Sequence, residues 1–266
     1  MQLGLTNPEH AKPSCTMPIK RLATYLFVTA MIVCVGCTAS SDAADNQQNS
    51  VGKAARALSY EVITETKPSN FDEFVKANRT SQYEVCASSL AAMGKQALPF
   101  PQIPQDFVMQ QSTWISDGKN YYSQVVSHKL ASAAGDPIAN LCKIEIITTV
   151  ETQISKNGKH YLRHEQAGHP ATTSVVDSPE SSKLALSRPS RSKTVNGHNL
   201  VCTDLPMKEA DICYFWYQDM VIADSGKLAI PAYQYDDNLP SVYRGITTPV
   251  SAKFNIQVNS TLFNTP

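Results

Sequence analysis

Between Lys143 and Ile154 the chain reads KIEIITTVETQI, and its apolar and β-branched residues alternate with polar ones. Ile144, Ile146, Thr148, Val150, Thr152 and Ile154 fall on one side of an extended chain; Glu145, Thr149, Glu151 and Gln153 fall on the other, with Ile147 the exception. A period of two predicts an antiparallel strand with one wet face. Turn chemistry brackets it. WISDGKNYY (Trp114 to Tyr122) and QISKNGKHYL (Gln153 to Leu162) share an I-S-(x)-G-K-x-Y pattern around Asp117-Gly118 and Asn157-Gly158. Asp, Asn and Gly accept positive φ at little cost, so both pairs predict tight hairpins. HNLVCTDL and ADICYFWYQ read as two more strands joined by a polar turn around Pro206-Met207-Lys208-Glu209, and Phe254, Ile256 and Val258 alternate as a closing strand.

Helical signals are confined to an earlier stretch. In SNFDEFVKANRT, Ser69 or Asn70 is placed to cap a helix that has Asp72 and Glu73 in its first turn and buries Phe71, Phe74 and Val75. QYEVCASSLAAMGKQAL, with Val85, Leu90 and Met93 among alanines, predicts a second helix, ended by Pro99, Pro101 and Pro104. The expected class is therefore α+β: a curved antiparallel sheet with two N-terminal helices packed on one face. Residues 169–193 are rich in Ser, Pro and Thr and read as a mobile loop inside one β-rich domain spanning 54–266.

A different pattern precedes that domain. Behind Lys20 and Arg21, the 15 residues Leu22 to Gly36 are uncharged and largely apolar, and no charge follows until Asp42. As a helix this run would measure ~22 Å, short of the ~30 Å bilayer core and within the range of a secretory signal. Met17 offers a compact signal start with a short basic segment. Thr38 to Gly52 has almost no large apolar residue, so residues 37–53 read as a flexible tether.

Val35-Gly36-Cys37 resembles the end of the bacterial lipoprotein signal, in which a small residue precedes a cysteine that receives diacylglycerol before residues 1–36 are cut away. Cys34 stands where that family usually has Leu. The resemblance implies lipidation at Cys37, a membrane partner through the lipid and, with Thr38 rather than Asp next, transport to the outer membrane, facing the periplasm or cell surface. Ordinary secretion, with cleavage after Ser41-Asp42-Ala43, and an uncleaved anchor are the alternatives. Within the folded part, the DGKxxY hairpin and the NGHNLVC…CYFWY strands are similar to periplasmic lipoprotein-carrier folds, which implies a curved sheet covered by helices.

Export changes how the seven cysteines read. Cys15 and Cys34 leave with the signal and Cys37 is acylated, so Cys86, Cys142, Cys202 and Cys213 remain. An even set in an oxidising compartment predicts two disulfides, with three possible connectivities. The hairpin geometry pairs Cys202 with Cys213; Cys86–Cys142 follows by elimination, tying a predicted helix to a predicted strand. Charge is balanced at 23 basic and 23 acidic side chains. Removing Lys12, Lys20, Arg21 and Glu9 with the signal leaves 20 against 22, a net of −2, which argues against a nucleic-acid partner.

Chemistry-bearing motifs are sparse. HYLRHEQAGH contains His160, His164, Glu165 and His169, but His164 and His169 are five apart, which no helical metal site uses. In a strand, His160 and His164 stand ~13 Å apart, so exposed strand histidines are expected and no metal. Ser116-Asp117-Gly118-Lys119 matches S-x-x-K by letter but lies across a turn, no G-x-S-x-G is present, and no cofactor motif occurs. Asp236 and Asp237 read as a solvated loop. Tyr214, Phe215, Trp216 and Tyr217 put two rings on each face of a strand, one pair for the core and one for a candidate binding surface or a covered face. The function expected is that of a lipid-anchored envelope lipoprotein with a non-catalytic role, binding a protein partner or an apolar ligand. An envelope hydrolase with scattered catalytic residues is the alternative, and a buried His near a carboxylate and a hydroxyl would favour it.

Overall fold

Strand β1 (Ser59–Pro68) alternates Tyr60, Val62 and Thr64 with Glu61, Ile63 and Glu65, and the first set is at most 2% exposed. In the computed structural model this strand is a joint. It pairs antiparallel with β2 (Gln110–Asp117) on one side and with β12 (Gly245–Phe254) on the other. The structure describes residues 58–177, 191–203, 210–218, 220–224, 229–236 and 238–264. All of them belong to one compact unit, Ala44–Pro266. The signal, the tether and Cys37 lie outside the described residues.

From β2 the chain runs as a meander through β3 (Tyr121–Ser132), β4 (Ile144–Lys156), β5 (Lys159–Gln166) and β6 (Thr172–Asp177). The later strands are β7 (Arg191–Val195), β8 (His198–Thr203), β9 (Ala210–Tyr217), the two-residue β10 (Met220–Val221) and β11 (Pro231–Asp236). Together they form one sheet in the order β6-β5-β4-β3-β2-β1-β12-β11-β9-β8-β7, antiparallel at every pairing, with β10 beside β9. Both predicted Gly turns form hairpins, β2–β3 and β4–β5, with positive φ at Gly118, Asn157 and Gly158. At the first turn the Asp117 carboxylate accepts from the backbone N–H groups of Lys119 and Asn120. Burial raises its pKa, but these hydrogen bonds outweigh it and leave the group below its ordinary value.

The expected α+β class with two N-terminal helices is overturned. Of the described residues, 51% lie in strands and 15% are helical, with one helix of 22 residues among them. That helix, α1 (71–92), follows β1 instead of preceding the sheet. It is α-helical over Phe71–Asn78, passes through a π-helical stretch at Arg79–Glu84, and is α-helical again over Val85–Ala92. Thr80 and Ser81 look like a break between two helices. Instead Asn78 stays helical, donating from its side chain to the Phe74 carbonyl at 2.9 Å, and Gln82 bonds Leu130 O on the sheet at 3.1 Å. These tertiary bonds carry the chain through the weak stretch, and the wider turn is the form that such insertions commonly take. Asn70 is the N-cap, accepting from Glu73 N. Gly94, at φ 68, ends the helix well before the prolines: its N–H bonds Ala91 O while Lys95 N bonds Leu90 O.

Among the described residues, three apolar clusters form the core. Phe74 stacks on Phe107 and packs with Leu130 and Ile144, seating α1 on one end of the sheet. On the same face, at the other end, Ile115 and Ile154 are covered by Phe263 and Leu262. The closing strand is therefore shorter than expected. The chain leaves the sheet at Asn255 (φ 53), and Val258 packs across it instead of extending it. The largest cluster joins Tyr60 and Val62 of β1 to Leu200, Phe215, Ile222 and Ile230, so the β8–β11 half folds back over the opposite face of β1. The anticipated loop at 169–193 narrows from both ends, since β6 and β7 take its flanks. Residues 178–190 and the turn at 206–209 lie outside the described residues.

Two disulfides are present, Cys86–Cys142 and Cys202–Cys213. The first joins α1 to a turn before β4, not to the strand itself, where Leu141 (φ 51) and Cys142 (φ 58) adopt left-handed backbone. The second links residues directly opposite each other on β8 and β9. By loop-closure entropy, the bridge spanning 56 residues contributes about 4 kcal/mol and the one spanning 11 about 3. Paired Cys→Ala variants are expected to lose stability in that order in urea unfolding, the Cys86–Cys142 pair the more. The reverse order would show that the loop length is not what governs the gain.

Candidate functional site

The pairing registers place one residue from each of five strands in a single row. Tyr60 stands opposite Ser116, Ser116 opposite Tyr121, Tyr121 opposite Ser155, and Ser155 opposite His160. The adjoining row runs Val62, Trp114, Ser123, Gln153 and Leu162. Small serines between bulky rings leave a cavity of about 20 Å³ beside Tyr60, Trp114, Tyr121 and Ser155. Polar walls and that volume suit one water molecule. The segment after β10 lies over it: Ile222 N bonds Phe215 O, Ile230 N bonds Ile222 O, and the Tyr60 hydroxyl donates to Ala223 O at 2.8 Å.

His160 is 3% exposed, a correction to the expectation of an exposed strand histidine. Its Nδ1 lies 2.6 Å from Ser155 Oγ and 2.9 Å from Gln153 Nε2. An amide N–H only donates, so Nδ1 accepts and the neutral ring carries its proton on Nε2. Burial lowers the His160 pKa, and the Asp224 carboxylate works against that without reversing it. Burial also pushes the Tyr60 phenol well above its ordinary pKa, with Tyr121 and Asp224 adding to the effect. A hydroxyl, an imidazole and a carboxylate thus gather where the sequence offered no motif. The only hint was register, with Ser155 and His160 equally spaced from the Asn157-Gly158 turn.

Ser155 is 7% exposed, and the cavity beside it, of about 20 Å³, has room for about one water molecule. The Nδ1 lone pair is shared between the Ser155 and Gln153 donors, which weakens it as a base toward Ser155. These groups satisfy one another inside the fold, as buried polar atoms must.

The other sequence candidates scatter. His164 is half-exposed, 3.5 Å from Glu151. Phe215 is 2% exposed in the main core, and Tyr217 stacks on Phe254 with centroids 4.5 Å apart. Tyr214 and Trp216, on the opposite side of β9, are half-buried. Among the described residues, the one compact group of metal-ligand types is Cys202, Asp211 and Cys213. Its sulfurs are joined in the disulfide, and Arg191 and Lys193 take the carboxylate at 2.6 and 3.1 Å, so it offers a metal nothing.

A second cavity, of about 340 Å³, is an open groove between the start of α1 and strands β11 and β12. Ser69, Asn70, Glu73, Tyr233, Tyr235, Arg244 and Ile246 line it. Its volume falls within the ~300–1,000 Å³ of small-molecule sites. Ile246 is its one aliphatic side chain, so the groove is polar and aromatic.

No family model and no curated protein matches the chain. Among solved structures it is similar to PNGF-II in a P21 crystal form, at 12% identity, covering 78% of this chain and 30% of that one with a TM-score of 0.34. The C2 form gives the same identity and coverage with a TM-score of 0.30. The chain spans less than a third of the length of that protein.

The His160 cluster makes two expectations. Because the folded-state pKa is lowered, the unfolded chain takes up a proton first, and the stability from neutral His160 is lost as pH falls below ~6.5. The stability gap between wild type and His160→Asn, from urea unfolding, should shrink between pH 7.5 and pH 5; a constant gap would remove the linkage. An alkyl fluorophosphonate should leave Ser155 unlabelled in the folded protein, as read by peptide mass spectrometry. Labelling at Ser155 would make it a nucleophile after all.

Proposed function

We propose that this protein is a lipid-anchored lipoprotein of the bacterial cell envelope whose folded domain binds a ligand or partner without catalysis. The observation that carries the reading is the use of the cysteines. All four beyond the tether are consumed in two disulfides, which fits an oxidising compartment. Cys37 is then the one thiol left after the predicted cleavage, directly behind the small residues that a lipoprotein signal requires. Among the described residues no helix is long and apolar enough to cross a membrane. In this reading the attachment comes from the acyl groups and the reach from the tether at 37–53. Outer-membrane placement follows from Thr38 within the same resemblance.

A binding role is favoured over hydrolysis by the contrast between the two cavities. The cavity at the hydroxyl–imidazole–carboxylate cluster has room for about one water beside the buried Ser155, whereas the groove at β11–β12 is far larger, open and polar. Expression in a bacterial host should give a membrane-partitioning product. Its intact mass should match a chain that starts at Cys37 and carries acyl groups, and Cys37→Ser should abolish both. A soluble product cut after Ala43, or an uncut chain, would sink the anchor and the outer-membrane placement with it.

A further inference from the structure

We propose that the groove between the start of α1 and strands β11 and β12 binds a polyhydroxylated ligand, a short glycan; this deepens the binding role proposed above and rests on it. The argument begins with the chemistry of the walls. A sugar ring shows apolar C–H groups on its faces and hydroxyls at its rim. It is met by an aromatic ring together with planar side chains that donate and accept in one plane. The groove supplies Tyr235 as the ring, and Arg244, Glu73 and Asn70 as guanidinium, carboxylate and amide. An apolar ligand would strip water from the exposed parts of the charged Glu73 and Arg244 side chains, which costs free energy that a hydroxylated ligand would restore by hydrogen bonding. An anion would meet the Glu73 carboxylate as well as Arg244.

The walls are also held in place before any ligand arrives. Asn70 is fixed as the N-cap of α1. Arg244 donates from Nε to Leu239 O at 3.1 Å and lies 4.0 Å from Glu73, while Ser69 N bonds its carbonyl. Tyr233 is braced from behind, with Lys193 Nζ 3.6 Å from its ring centre and tied in turn to Asp211. Gly245 lets β12 close on β1 beneath the groove, since a Cβ there would stand 2.6 Å from Thr66 Cγ2. Pre-ordering of this kind lowers the entropy lost on binding, which matters most for ligands whose individual contacts are weak.

The test is saturation-transfer NMR on the detergent-solubilised full chain, titrated with triacetylchitotriose and with maltotriose. Saturable binding of at least one is expected, weakened about tenfold or more by Tyr235→Ala and by Arg244→Ala. Tyr235→Phe, which keeps the ring, should retain most of it and guards against a folding defect. No saturable binding of either saccharide overturns the proposal, as does binding that both alanine variants leave intact. Neither result touches the mass and partition measurements on Cys37→Ser, so failure of the glycan site and failure of the lipoprotein reading are separable.

Discussion

Tyr60 sits where the two halves of the sheet meet, 1% exposed, with its hydroxyl on the carbonyl of Ala223. A buried phenol needs that partner, and the partner comes from a segment 163 residues away in sequence. Because β1 pairs with both β2 and β12, the same strand carries the meander on one side and the returning strands on the other. The main core forms only when the β8–β11 half folds onto this strand, and the hydrogen bond fixes how closely it folds. The His160 cluster exists because of that contact. Without the segment around Ala223 and Asp224 lying over the β4–β5 hairpin, Ser155 and His160 would face water like their neighbours His164 and Glu151.

The polar row across the sheet follows from the same constraint. An apolar core strand offers no difficulty when covered, but Ser116, Tyr121, Ser155 and His160 form a half-polar stripe. Covering it is tolerable because its polar groups find partners: Ser155 and Gln153 bond His160, and Gly118 N–H donates to Ser116 Oγ. Such networks specify one arrangement of the strands, since a register slip would leave several buried donors unpaired. The cluster therefore acts in the structure as a lock on register, and its resemblance to a catalytic set comes from the short list of side chains that can satisfy buried histidine.

Local rules made part of this fold legible in the sequence. Alternation across Ile144 to Ile154, the Asp117-Gly118 and Asn157-Gly158 turns and the Asn70 cap all act within a few residues, and each appears in the structure. The misses are places where distant contacts decide. Thr80 and Ser81 weaken a helix locally, but Gln82 on Leu130 and the Cys86 bridge to Cys142 hold it as one rod. Ile256 and Val258 continue a period of two, yet the chain turns at Asn255 (φ 53) and lays Val258 and Phe263 over Ile115 instead. Residues 172–177 are too rich in Thr and Ser to stand out as a strand, and pairing with β5 makes them one. The groove was invisible for the same reason: Glu73, Tyr235 and Arg244 come from three elements whose adjacency no short window contains.

The two cavities then separate what the fold needs from what it leaves open. Groups that fold stability demands are mutually bonded and buried, as around His160. Groups at the β11–β12 groove are anchored at their backs yet open to solvent in front, with Arg244 28% and Glu73 54% exposed. A surface ion pair at 4.0 Å adds little stability of its own. Arg244 is instead oriented by Leu239 O, Tyr233 is backed by Lys193, and Gly245 admits the close strand approach that sets the groove's floor. Order of that sort in an exposed, polar and aromatic hollow suits recognition of a small polar ligand, and the proposed glycan site accordingly lies at strands β11 and β12 beside the start of α1.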